Sequence, residues 1–114
     1  MHLPIHYLVP PKSADILPLQ LVIPKHHGEK LADIPDDSLS ELLPVAAKIA
    51  RATGAEQYNI LQNNGRMAHQ EVDHVHVHVI PKPNKEEGLG IEWNQLSPGK
   101  ERLQKLLDEI KSKM

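Results

Sequence analysis

The strongest constraint on the fold of this chain is the run His74-Val75-His76-Val77-His78-Val79-Ile80. Side chains of a β-strand alternate between its two faces, so the valines can enter a core while the histidines form a row on the opposite face. Neighbouring histidines would stand roughly 6 to 7 Å apart along such a strand. A solvated strand face ordinarily carries Lys, Glu or Thr, and a packing face carries apolar residues. The pattern therefore predicts a strand that presents either a reaction surface or a metal site.

Metal binding is one alternative, because alternating histidines can place two ring nitrogens on one ion at about 2.0 to 2.1 Å. The outer two histidines are too far apart to share an ion easily, so other ligands would be needed. The chain contains no Cys and no HExxH or CxxC motif. The other histidines are available as ligands: His2, His6, His26, His27 and His69. A purely structural role, as partly buried hydrogen-bonding side chains, is the remaining alternative.

Composition favours one small domain and excludes several classes of function. A chain of 114 residues has room for one hydrophobic core, and without Phe that core is expected to be aliphatic. A formal net charge of −2 provides no basic stripe, so a nucleic-acid polymer is not expected as the main ligand. No apolar run approaches the roughly 20 residues of a membrane span, so no membrane partner is expected.

The hydrophobic pattern predicts several strands and an antiparallel sheet. Strands are predicted at residues 19–23, 56–62 and 72–80. The last two are separated by an Asn-Asn-Gly turn at residues 63–65, so they are expected to pair antiparallel. Residues 1–18 are expected to be irregular, because four prolines each remove a backbone donor.

Two helices are predicted. One begins near the acidic segment at residues 35–38 and ends at Gly54, with apolar residues at helical spacing between them. Pro44 lies inside this segment and predicts one kinked helix, with two short helices as the alternative. The other is an amphipathic C-terminal helix at residues 98–111. Together with the sheet, these elements predict an α+β fold.

Four sequence segments, taken in order, resemble a known family of enzymes. They are LVIPKHH at residues 21–27, YNILQNNG at 58–65, AHQEVD at 68–73 and the histidine run itself. Their order is similar to that of the histidine triad (HIT) family of nucleotide hydrolases and transferases. Within the family they resemble the histidine triad nucleotide-binding proteins, a branch of small nucleoside phosphoramidases, and Trp93 fits the same branch. The uridylyltransferase branch carries Gln in place of the third histidine, so His78 argues against it.

The resemblance implies a HIT-like α+β domain with one main helix packed on the antiparallel sheet and a C-terminal helix. It also implies a purine nucleoside phosphoramidase that hydrolyses the P–N bond of substrates such as adenosine 5′-phosphoramidate. The family's nucleophile occupies the position of His76, and a neutral imidazole is a good nucleophile near neutral pH. His74 and His78 would orient His76 and neutralise charge on the phosphoryl oxygens. Neither a cofactor nor a metal is expected.

The resemblance also implies substrate-binding residues. Asn63 matches an asparagine of the family's pocket, and Gln70 stands where the family places a phosphate-contacting residue. Asp15 and Ile16 belong to a segment that is similar to the family's Asp-Ile-x-Pro pocket segment. Many members carry a hydroxyl where this chain has Glu71, and an ionised carboxylate cannot donate a hydrogen bond to phosphate.

The chain departs from the family upstream of residue 21. Members begin earlier, with a strand hairpin and a helix that wall the nucleoside pocket, and they carry a histidine where this chain has Leu19 and Gln20. Residues 1–114 are therefore expected to form a single HIT-like domain without that hairpin and helix. Two alternative functions follow: a catalytically weak nucleotide-binding or scaffolding module, and a dinucleoside polyphosphate hydrolase.

The expected partners are an AMP-like purine nucleotide and a second copy of the chain. A homodimer is expected because so small a domain leaves apolar surface exposed, and the family resemblance supports it. Residues 1–18 lack the basic start and the unbroken apolar stretch of a secretory signal. We therefore expect a cytoplasmic location, with the nucleus as a second compartment.

Overall fold

A computed structural model describes residues 5–6 and 20–114 of the chain, and their side chains from Leu21 onward. In this part of the chain, four strands form one sheet in the order β1-β2-β4-β3, with antiparallel neighbours throughout. The strands are β1 (Ile5–His6), β2 (Gln20–Val22), β3 (Tyr58–Leu61) and β4 (Val77–Pro81). The predicted α+β fold and antiparallel sheet are confirmed. The predictions for Asp15 and Ile16 lie outside the described residues.

The main helix, α1, spans Asp36–Thr53. It begins after Pro35 with two aspartates in its first turn, where carboxylates favour the unpaired N–H groups of the helix start. It ends at Gly54, whose φ of 72° is in the left-handed region that glycine adopts without steric cost. Pro44 lies inside α1, so the structure has the single helix predicted and not two short ones.

The hydrophobic core lies between α1 and one face of the sheet, against β2 and β4. Four valines supply the sheet side of this core, and they are Val22, Val75, Val77 and Val79. The helix side consists of Leu42, Val45, Ala46, Ile49 and Ala50. Ile34, which precedes α1, completes the cluster. The core is aliphatic, as the composition predicted.

The strand that carries the histidine run is shorter than predicted. Residues 72–80 were expected to form one strand, but β4 begins only at Val77. The pairing of β2 with β4 ends at the pair Val22 and Val77, and Pro24 beyond it has no N–H to continue the ladder. The Val75 N–H instead donates to the Gly28 carbonyl oxygen at 2.9 Å. The backbone between His74 and His76 is therefore held by the segment that follows β2.

The C-terminal helix, α2, spans Lys100–Ser112, close to the predicted bounds. Its apolar row comprises Leu103, Leu106, Leu107 and Ile110, which remain 51%, 51%, 43% and 49% exposed. The helix is thus amphipathic as predicted, but its apolar face is open to solvent within the single chain. Among the described residues, no helix is both long and apolar enough to cross a membrane.

Gly28 provides a test of the contact between the segment after β2 and the core. A Cβ atom at this buried position would overlap the Cδ1 atom of Ile34, which is itself only 4% exposed. We expect Gly28→Ala to lower the free energy of unfolding by about 1 to 3 kcal/mol, the usual cost of overpacking. Gly90→Ala is the matched control, since a Cβ atom there would meet no described atom within 4 Å. Equal urea midpoints for the two variants would contradict this prediction.

Candidate active site

Burial alternates along the histidine run. Val75, Val77 and Val79 are 0%, 4% and 0% exposed, whereas His74, His76 and His78 are partly exposed. The rings of His76 and His78 meet edge to face, with centroids 4.8 Å apart and planes inclined at 75°. The structure therefore brings the three histidines together on the face of the sheet that α1 does not cover.

The hydrogen bond of His76 determines which of its ring nitrogens is free. Its Nδ1 atom lies 2.7 Å from the carbonyl oxygen of His74. A carbonyl oxygen can only accept, so Nδ1 must carry the proton and donate it. In the neutral ring, Nε2 then keeps its lone pair. His76 is therefore held in the tautomer that a nucleophile requires.

His74 is held at both of its ring nitrogens. Its Nε2 atom lies 2.9 Å from the carbonyl oxygen of Pro24, and its Nδ1 atom lies 2.9 Å from Nδ1 of His27. The His27 and His74 rings are tilted by 57° with centroids 4.9 Å apart, so they meet through these nitrogens and not by stacking. With both nitrogens occupied, the His74 ring supports its neighbour and has none left to attack a substrate.

His78 is the histidine whose charge state the structure alters. Burial lowers the pKa of His78 below its ordinary value of 6.5, and repulsion from His76 lowers it further. Its Nδ1 atom is buried and has no hydrogen-bond partner among the described residues. His78 is therefore neutral at neutral pH and can offer one ring N–H to a bound anion.

An apolar cavity of about 250 Å³ adjoins the histidines. Leu21, Ile23 and Val72 form its wall, with His74 and His76 at its edge. Ligand sites of this kind combine apolar walls with a few polar groups that fix orientation. The cavity can therefore take an apolar group of a ligand whose polar part reaches His76.

Gln70 is buried, and its side chain is bonded to two backbone groups. Its side chain is only 2% exposed, Oε1 accepts from the Gly65 N–H at 2.7 Å, and Nε2 donates to the Glu29 carbonyl oxygen at 2.5 Å. These bonds tie the loop before the histidines to the segment after β2. The structure thus gives Gln70 structural contacts, and its predicted contact with phosphate stays a prediction.

Asn63 lies just beyond β3, whose Leu61 pairs with His78, so it is at the histidine end of the sheet. Its Nδ2 atom makes only a long contact of 3.5 Å with the His69 carbonyl oxygen, which leaves the amide available to a ligand. Glu71 is exposed, and its carbonyl oxygen accepts a hydrogen bond from Arg66. Its carboxylate makes no hydrogen bond to the described residues.

His27 and the Pro24 carbonyl are the parts of this arrangement that the sequence did not assign. His27 was only one of several spare histidines, and a carbonyl has no signature in sequence. The signal available in the sequence was the position of His27 shortly after Pro24, the proline that ends the strand beside the histidine run. Among the described residues, no three His, Cys, Asp or Glu side chains are grouped to hold a metal. The metal-free mechanism remains a prediction.

The fold and this geometry define a class of protein. A central imidazole with one free nitrogen, supported on both sides by further imidazoles and set beside an apolar cavity, is suited to nucleophilic attack on a nucleotide phosphorus atom. The histidines lie on β4 and on the segment that leads into it, beside the segment that follows β2.

Comparison with known proteins identifies the family. The HIT domain model matches residues 18–85, and the chain belongs to this family. Adenosine 5′-monophosphoramidase hnt1 of Schizosaccharomyces pombe is 51% identical over 94 residues, covering 82% of this chain and 71% of that protein. HNT1 of Saccharomyces cerevisiae, with the same description, is 48% identical over 82% of this chain and 60% of its own length. The crystal structure of a histidine triad nucleotide-binding protein from Candida albicans superposes with a TM-score of 0.80 at 45% identity, covering 86% and 74% of the two chains.

The lowered pKa of His78 predicts how stability depends on pH. Below about pH 6.5 the unfolded chain binds a proton at this residue more readily than the folded chain does, so acidification favours unfolding. We expect the free energy of unfolding to fall between pH 7 and about pH 5, and to fall less steeply in His78→Gln. Urea titrations across this range measure the slopes, and His26→Gln gives the reference for the loss of an exposed imidazole. Equal slopes for wild type and His78→Gln would contradict the prediction.

Proposed function

We propose that this protein is a purine nucleoside phosphoramidase that hydrolyses the P–N bond of adenosine 5′-phosphoramidate and related substrates. The observation that carries the proposal is the bond from His76 Nδ1–H to the His74 carbonyl, which leaves Nε2 free as a nucleophile. The names of the yeast relatives, both adenosine 5′-monophosphoramidases, support the same reaction. The chain covers 71% and 60% of those proteins, so their activity is transferred to it as a proposal.

In the first step, Nε2 of His76 attacks the phosphorus atom and the P–N bond to the leaving amine breaks. The amine departs with a proton taken from solvent water, and the nucleotide is left covalently attached to Nε2. The Nδ1–H bond to the His74 carbonyl holds the ring in place as its positive charge develops. The ring N–H of neutral His78 stabilises the phosphoryl oxygens, where most of the catalytic benefit in phosphoryl transfer arises.

In the second step, water attacks the same phosphorus atom and the bond to Nε2 breaks. The products are AMP and free His76, with its lone pair restored. A phosphorylated imidazole is reactive, so the enzyme replaces one difficult displacement with two easier ones. This sequence needs no cofactor and no metal ion.

Specificity for a nucleoside is proposed to come from the apolar cavity. Leu21, Ile23 and Val72 offer a wall against which a purine can pack while its phosphate reaches His76. Asn63 lies in the loop after β3, and its amide makes only a long contact with the His69 carbonyl oxygen. It is proposed to hydrogen-bond the ligand. The substrate-binding role of Asp15 and Ile16 remains a prediction.

Replacing His76 tests the nucleophile. We expect His76→Ala to lower turnover of adenosine 5′-phosphoramidate by about four orders of magnitude or more, the scale seen when a covalent nucleophile is lost. AMP binding, measured by calorimetry, should largely survive. Intact-mass analysis during turnover should detect an adenylated form of the wild type and none of the variant. His26→Ala is the control, because it removes an exposed histidine outside the row.

Two outcomes would overturn this mechanism. One is activity retained in His76→Ala. The other is loss of wild-type activity on treatment with EDTA that zinc restores, as the metal-site alternative requires. AMP binding without turnover of any phosphoramidate would favour the scaffolding module, and faster cleavage of dinucleoside polyphosphates would favour the third alternative.

We also propose that the protein is a homodimer and that the apolar row of α2 lies in the interface. Leu103, Leu106 and Leu107 are about half exposed in the single chain, a state that a soluble helix rarely keeps. Arg102 and Glu109 adjoin Leu106 of this row, Arg102 in the first turn of α2 and Glu109 near its end. An antiparallel pair of α2 helices related by a two-fold axis would bring Arg102 of each copy near Glu109 of the other. The proposed cytoplasmic and nuclear location stands beside this as a prediction.

Sedimentation tests the dimer. We expect wild type to sediment with the mass of two chains at micromolar concentration, and Leu106→Lys to shift it towards one chain by placing a charge in the apolar row. Gln104→Lys is the matched control, since it adds the same charge to the same helix beside Asp108, outside the row. A wild-type monomer, or equal dissociation of both variants, would contradict the proposal.

A further inference from the structure

The segment that follows β2 is bonded to the histidine run at three successive points. The Pro24 carbonyl accepts from His74 Nε2 at 2.9 Å, and the Gly28 carbonyl accepts from the Val75 N–H at 2.9 Å. Between these backbone contacts, the side chain of His27 meets the side chain of His74, with 2.9 Å between the two Nδ1 atoms. His27 supplies the single side-chain contact of the three.

The proton positions at these contacts follow from what each partner can accept. The Pro24 carbonyl has only lone pairs, so His74 Nε2 carries a proton and donates it. In the neutral His74 ring, Nδ1 then has no proton and accepts. The facing Nδ1 atom of His27 must be the donor of this bond. The result is a directed chain from His27 through His74 to Pro24.

We propose that His27 is a positioning residue for the phosphoramidase reaction, acting on His76 through His74. The donor on His27 fixes the His74 ring. The backbone carbonyl of His74 in turn accepts the Nδ1–H of His76. A change in the orientation of His74 therefore changes the bond that keeps Nε2 of His76 free and aimed. His27 itself is exposed and lies outside the histidine row.

This role rests on the proposed function, yet its geometric part is independent of any activity. The neighbouring His26 provides the contrast, because it is exposed and its side chain makes no hydrogen bond to the described residues. The two histidines have the same chemistry and adjacent places in one segment. Only the one that reaches His74 is expected to matter for the reaction.

The experiment compares His27→Leu, which removes the donor, with His27→Asn, whose amide nitrogen can occupy nearly the place of Nδ1. We expect His27→Leu to lower kcat for adenosine 5′-phosphoramidate on the order of 10- to 100-fold, with little change in KM, because a misaimed nucleophile slows the step without releasing the nucleotide. His27→Asn should recover most of kcat. His26→Leu and His26→Asn, the matched controls, should retain the wild-type kcat.

A second measurement reads the geometry directly. The ¹⁵N resonances of the His74 and His76 rings report which nitrogen carries the proton. We expect those of His74 Nδ1 and His76 Nδ1 to shift in His27→Leu, to return towards wild type in His27→Asn, and to stay unchanged in the His26 variants. This readout does not require turnover, so an inactive wild type would count against the proposed function while leaving the His27 contact testable.

The outcomes divide clearly. Unchanged kcat and unchanged ring resonances in His27→Leu would overturn the proposal, and so would equal losses in His27→Leu and His27→Asn, which would make the donor irrelevant. If His27→Leu fails to fold, His27→Gln takes its place, because its longer side chain carries the amide nitrogen past the position of Nδ1. A kcat for His27→Gln well below that of His27→Asn would then support the role, and equal values would overturn it.

Discussion

The position of the whole site depends on the burial of Val75, Val77 and Val79 against α1. A strand has a side-chain period of two, so a slip of one residue would turn the valines to solvent and the histidines into the core. The free energy of burying three valines opposes such a slip far more strongly than any hydrogen bond of the site does. Helix α1 touches none of the chemistry, yet its packing decides which face of the sheet carries the histidines.

The fold illustrates which features local sequence can determine. Helix α1 was predictable because its signals lie within it: aspartates after Pro35 at its start, helical spacing of apolar residues, and Gly54 at its end. The late start of β4 at Val77, five residues after the predicted start at residue 72, was not predictable in this way. It depends on Pro24, which lies some fifty positions away in the chain and has no N–H to extend the pairing of β2 with β4. It also depends on the Gly28 carbonyl, which accepts the N–H of Val75.

The candidate site likewise has features that local sequence determines and features that depend on distant residues. The row of three histidines could be read from residue types and spacing, because alternation is a local property of a strand. The partners of those histidines could not, since His27 and Pro24 are 47 and 50 positions from His74. Gln70 shows the same dependence on distant residues. Its place beside the histidines predicts a phosphate contact, which stays a prediction, whereas its hydrogen bond to the Glu29 carbonyl, 41 positions away, could not be read from the sequence.

The partner that the fold supplies to His76 has a chemical consequence. In the Ser-His-Asp arrangement a carboxylate holds the histidine and stabilises its charged form, which suits a ring that must store a proton. His76 instead donates to the neutral carbonyl oxygen of His74. A neutral acceptor fixes the tautomer but stabilises the positively charged, nucleotide-bearing ring less than an anion would. In the proposed mechanism that ring is therefore a better leaving group when water attacks, so the bond that prepares His76 for the first proposed displacement also favours its release in the second.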